Sequence, residues 1–157
     1  MIKIALGISD KHRKEIAHIL NVILSYEYVL YTKTLKYHWN VESQCFGPLH
    51  LLFKEQYEQL FSIIDDVAER VRSLGHYSLG TLTEFLQESK VEEAPGKYPN
   101  DMDMIADLLV GHEIIIRLIR KEIDSTLEKG DAGTSNFLTD IIEKHEKTAW
   151  MLRAHLL

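Results

Sequence analysis

Apolar residues recur at Ile16, Ile19, Ile23, Tyr26, Leu30 and Tyr37, the three-and-four spacing that lines one face of a helix, and predict a first helix over residues 10–38. Asn40, Ser43 and Gly47 break the pattern, and Pro48 suits the first turn of a second helix. Phe53, Tyr57, Leu60, Ile64, Val67, Val71 and Leu74 mark the buried face of that helix, with Gly75 as its stop. Residues 75–100 hold Gly80, Pro95, Gly96 and Pro99 and one short amphipathic piece, residues 82–86. So long a link suits a crossover that carries the chain along a bundle rather than a turn between neighbouring helices. Asn100 is placed to cap a third helix with Asp101 and Asp103 in its first turn; Ile105, Leu108, His112, Ile115, Ile119 and Ile123 form its stripe, and Gly130 ends it. Thr134 or Ser135 is expected to cap a fourth, with Leu138, Ile141, His145, Ala149 and Leu152 inward. The expected fold is all-α: one four-helix domain over residues 1–157, with a short helix in the crossover and no internal repeat.

Composition agrees with a chain able to bury a core, at 157 residues, 45% hydrophobic and 27% charged. The lone Cys45 excludes an intrachain disulfide, fits a reducing compartment and reads as a small buried residue. The apolar start, residues 1–8, is short and contains Lys3, and no apolar stretch approaches the roughly 20 residues that cross a bilayer, so a soluble cytoplasmic protein is expected. A net charge of -6 and a pI near 5.7 disfavour nucleic acid and anionic lipid as partners and favour a cation.

Asp65 and Glu69 are four apart on the second helix, within reach of a single ion. Alone such a pair is an ordinary solvated patch, with Asp66 beside it. His38, ending the first helix, and His50, beginning the second, change that, because the connecting turn brings both imidazoles to one end of the hairpin. Two imidazoles and two carboxylates suit iron, with Zn or Mn also within their range. Fifteen residues separate His50 from Asp65, about 22 Å along a helix, so one chain cannot close this site. Two copies packed antiparallel about a twofold axis near Glu58 would bring His50 of each level with Asp65 and Glu69 of the other.

Tyr37-His38-Trp39-Asn40-Val41, then Phe46, Leu49-His50 and Phe53, then Asp65-Asp66-Val67-Ala68-Glu69-Arg70, together with Trp150-Met151-Leu152, resemble the Dps family, the ferritin-like "DNA-binding protein from starved cells" group. The spacings of 12, 15 and 4 between His38, His50, Asp65 and Glu69 are similar to those of that family's ferroxidase site. The resemblance implies a ferritin-like bundle, a homododecameric shell with iron sites at twofold interfaces, and His38, His50, Asp65 and Glu69 as iron ligands and catalytic residues. It also implies ferroxidase activity: ferrous iron oxidised preferably by hydrogen peroxide, ferric mineral stored inside, and Trp39 as a trap for stray radicals.

Several positions depart from the family pattern. Lys54 stands one turn after His50, where the family carries an acid, so one strong iron position and a weak second are expected, with Lys54 otherwise pairing with Glu55 or Glu58. Asn136 and Ala132 stand where aspartates of an iron-uptake pore are expected, leaving Asp131, Asp140 and Glu143 to supply negative charge. Lys3 is the only basic residue before the first helix and His155 the only one after Arg153, so DNA binding is expected to be weak, carried by Lys11, Arg13 and Lys14. The alternatives are a DNA-protecting structural shell with incidental metal binding, and a di-iron site inside each bundle. For the second the chain has one Glu-x-x-His motif, Glu15 to His18, and lacks another. His112 and His145 read as hydrogen-bonded core residues.

Overall fold

The computed structural model describes residues 4–156, so Lys3 lies outside the described residues. These residues form five helices and no strand: α1 Asp10–Asn40, α2 Phe46–Ser73, α3 Leu82–Glu88, α4 Asp101–Glu128 and α5 Ala132–Ala154. None is long and apolar enough to cross a membrane.

Helix ends follow local chemistry. Ser9 caps α1 by accepting from His12 N, and Asn100 caps α4 by accepting from Asp103 N. Thr81 and Glu84 form a reciprocal capping box at α3, which extends the short crossover helix to Glu88. Gly75 and Gly130, at φ of 88° and 81°, occupy the left-handed position just past α2 and α4. Two ends differ from expectation. Helix α2 begins at Phe46, two residues before Pro48; the missing Pro N–H is harmless there because the first four amides have no intrahelical partner. Helix α5 is capped by Asp131 rather than Thr134 or Ser135, both of which are buried inside the helix.

Helices α1 and α2 form one antiparallel hairpin, α4 and α5 another. Helix α1 also packs on α4, and α2 on α5, so α1 and α5 lie diagonally across the bundle. The crossover returns the chain to the far end, and α3 packs on α1 by stacking Phe85 on Tyr28 at 4.4 Å. The stripes meet in the centre, where Leu20, Leu30, Phe53, Leu60, Ile115 and Leu138 are sealed from solvent. Each contributes about 1.5–3 kcal/mol by leaving water.

Two surface expectations are corrected. Cys45 is exposed, because it sits in the turn before α2 rather than on an inward stripe. Arg13 is buried, donating to Leu74 O at 2.8 Å and to Asp10, so only Lys11 and Lys14 of the expected basic patch face solvent.

Candidate metal centre

His38 lies in the last turn of α1 and His50 early in α2, so the short turn between the helices folds one ring onto the other. The rings stack with centroids 3.8 Å apart and planes 22° from parallel. Each Nδ1 meets the other residue's backbone carbonyl, His38 to His50 O at 2.8 Å and His50 to His38 O at 2.9 Å. A carbonyl oxygen only accepts, so each Nδ1 donates its hydrogen, and each neutral ring keeps its lone pair on Nε2. Such a fixed tautomer, held by a backbone partner, is what orients a histidine for metal. Tyr57 lies edge-on to His38 at 5.2 Å and Phe46 stacks on His50 at 5.0 Å, bracing the pair.

Next to His38, Tyr37 donates its hydroxyl to Asp107 at 2.5 Å, and Lys33 binds the same carboxylate at 2.9 Å. Burial first, then the bond to Asp107 and its charge, hold the phenol above its usual range, so it stays protonated. This tie anchors the end of α1 to α4.

Asp65 and Glu69 lie further along α2, exposed. Among the described residues no group of three or more His, Cys, Asp or Glu side chains comes together as a metal would require. One chain therefore brings the two histidines together and leaves the two carboxylates apart from them. Leu51, Lys54, Glu58, Phe61, Asp65 and Glu69 succeed one another at intervals of three and four and share one open face of α2. Two of them are large and apolar, Leu51 at 54% and Phe61 at 60% exposure. Lys54 pairs with Glu58 at 3.7 Å.

The remaining candidates separate clearly. Asp131 is buried, accepting from Arg70 at 2.9 Å and from the Thr134 hydroxyl at 2.5 Å, so it ties α5 to α2 and is not free for a passing cation. Asp140, Glu143, Asn136 and Ala132 are exposed. Trp39 is 69% exposed, unpacked within one chain. Glu15 is half-buried and His18 exposed, and neither belongs to a cluster. His112 and His145 are hydrogen bonded in the core as expected, and to each other. The residue that pattern reading missed is Glu27, fully buried and bonded to His145 at 2.8 Å. Its signal was a carboxylate on the inward stripe, one turn from both Ile23 and Leu30.

Residues 17–157 match the ferritin-like domain of the Ferritin family. The chain is 43% identical over 157 residues, covering 99% of it and 88% of the relative, to an uncharacterized low temperature-induced protein of Nostoc sp.. It is 35% identical over 129 residues, covering 82% of it and 89% of the relative, to the DNA protection during starvation protein of Helicobacter pylori. In structure it is similar to the DPS protein of Vibrio cholerae, described as a member of a broad superfamily of ferritin-like diiron-carboxylate proteins. That likeness has a TM-score of 0.94 at 30% identity and covers 100% of this chain and 98% of that one.

Proposed function

The chain belongs to the Dps family of ferritin-like proteins, and from that premise we propose that it is a ferroxidase that stores iron and protects against its radical chemistry. His38 and His50 of one copy, with Asp65 and Glu69 of a second, hold the ferrous substrate. The observation that carries this reading is the reciprocal lock of the two imidazoles, which commits both Nδ1 hydrogens to backbone and reserves both Nε2 lone pairs. The carboxylates supply the negative charge that favours the ferric product. Hydrogen peroxide is the preferred oxidant: it takes one electron from each of two ferrous ions and, with two protons, leaves as two waters, so no hydroxyl radical is released. Zn or Mn can occupy the same ligands; Zn, having no redox step, would inhibit.

The shared site needs α2 of two copies antiparallel about an axis near Glu58. Leu51 and Phe61 support that packing, since they flank this point on the same open face as Asp65. A homododecamer completes the shell. Lys54, although paired with Glu58, keeps a positive charge one turn from His50, so one iron position per subunit is strong and the second weak.

The test is peroxide-driven ferrous oxidation by wild type beside His50→Ala and Asp65→Ala. Both variants are expected to fall to the rate of iron in buffer, and a wild-type rate in either overturns the assignment. DNA affinity is expected to be weak, since Arg13 is buried; tight binding in a low-salt gel shift would contradict this. We place the protein in the cytoplasm, in keeping with one unpaired cysteine.

A further inference from the structure

Across the middle of the bundle runs a hydrogen-bonded chain of ionisable groups that the metal centre does not use. His145 Nε2 lies 2.8 Å from Glu27 Oε1, and His145 Nδ1 lies 2.8 Å from His112 Nδ1. The three side chains come from α1, α5 and α4, and none is more than 2% exposed. Because α1 and α5 are diagonal partners, the Glu27–His145 contact spans the core, and His112 extends it to α4. At the two ends, Glu27 Oε2 and His112 Nε2 are buried without a hydrogen-bond partner. Helix α4 is pressed against α1 here, since a Cβ on Gly111 would stand 2.6 Å from Leu30 Cδ1.

The groups stand in line, with His145 in the middle, and do not converge on a point where one metal ion could reach all three. The ligand this geometry takes is a proton. Each of the two hydrogen bonds needs one hydrogen, and a third on His112 Nε2 makes the chain neutral. It does so whether Glu27 is a carboxylate facing an imidazolium or a carboxylic acid facing a neutral ring. A fourth proton finds no negative charge left to offset it and places net positive charge in a fully buried site.

Among the described residues no other buried ionisable group offers compensation, the buried Asp131 being engaged by Arg70 and the Thr134 hydroxyl. Among the buried residues His112 is the only titratable one on α4 and His145 the only one on α5, while α2 buries Gln56 among apolar side chains and α3 only Phe85. On α1, Arg13 is bonded to Leu74 O and Asp10, Lys33 and Tyr37 to Asp107, His38 to His50 O, and Tyr26 faces Lys90 and Glu88.

We infer that Glu27, His145 and His112 form a proton-sharing lock that ties α1 to the α4–α5 hairpin near neutral pH and that acid releases. The lock stands independently of the iron reading. Its sign follows from His112, which burial, reinforced by the adjacent His145, holds well below the usual imidazole value. An unfolded chain takes up this proton from about pH 6.5 downward while the folded chain refuses it. The folding equilibrium therefore weakens by up to about tenfold per pH unit as the pH falls below that point.

The test is thermal unfolding of the assembled protein, followed by circular dichroism at fixed concentration from pH 7.5 to 5.0. Wild type is expected to lose midpoint temperature progressively below pH 6.5. His112→Gln removes the group that takes up the proton, so its loss over the same range should shrink to about half or less, even if its midpoint at pH 7.5 is lower. Glu27→Gln keeps the size and hydrogen bonding of its side chain but removes the offsetting charge, and should lose midpoint more steeply than wild type. If His112→Gln does not fold, the Glu27→Gln slope decides alone. Equal slopes in wild type and Glu27→Gln overturn the inference, as does one equivalent of tightly bound Zn that wild type holds and Glu27→Gln lacks.

Discussion

At His38 and His50 the hydrogen on each Nδ1 is taken by the other residue's carbonyl oxygen, so the ring geometry of the proposed iron ligands is set before any metal arrives. Lys54 is the side chain on the same helix that works against a second ion. Its distance of 3.7 Å from Glu58, with both groups about half exposed, gives a pair too weakly held to cancel its charge. Lys54→Glu is therefore expected to raise tight ferrous binding in an anaerobic titration from one equivalent per subunit to two. Two tight equivalents in wild type would contradict the role given to this ammonium. At Gly111, the alanine variant would drive a methyl into Leu30 and should destabilise the fold by about 1–3 kcal/mol in chemical denaturation.

The helices differ in how they are held. Helix α5 is preceded by its cap Asp131, whose carboxylate accepts from Thr134 N, from the Thr134 hydroxyl and from Arg70 of α2. One buried side chain thus joins a helix start to a neighbouring helix. Asp131→Ala removes the cap and strands a mostly buried guanidinium, for an expected cost of about 2–3 kcal/mol. Amide exchange should become fastest in the first turn of α5, and exchange unchanged there would show that the cap is dispensable. Along α2, apolar periodicity identified the inward face correctly, with Phe53, Leu60, Val67 and Val71 all buried. The opposite face carries Leu51 and Phe61 into solvent in a single chain, a feature that a helix serving one bundle alone has no use for.

For the whole molecule, the proposed division of each site between two copies makes a prediction that no single-chain site shares. Mixing His50→Ala with Asp65→Ala subunits, unfolded and reassembled together, creates mixed pairs in which one site carries both defects and the other carries neither. Random pairing restores about a quarter of wild-type oxidation, although each variant alone is inactive. Absence of recovery in an assembly shown to be mixed would rule out the shared site. Assembly itself is checked by solution mass, expected at about 220 kDa for twelve chains of 18.2 kDa.

The order of helices, their inward faces, the crossover helix and the meeting of His38 with His50 were legible from sequence. Each depends on residues near in the chain, where helical spacing and a short turn dictate neighbours. The same arithmetic showed that Asp65 lies too far along α2 to join them within one chain. What only the tertiary structure decided depends on which helices become neighbours. Asp131 displaced Thr134 as the cap because Arg70 reaches it from α2, 61 residues away in sequence. Glu27 met His145 across 118 residues, and His145 met His112 across 33, through a core whose diagonal no periodicity specifies. Spacing records what a helix can present, but the burial that turns a carboxylate and two imidazoles into one proton-sharing unit arises only when three helices close around them.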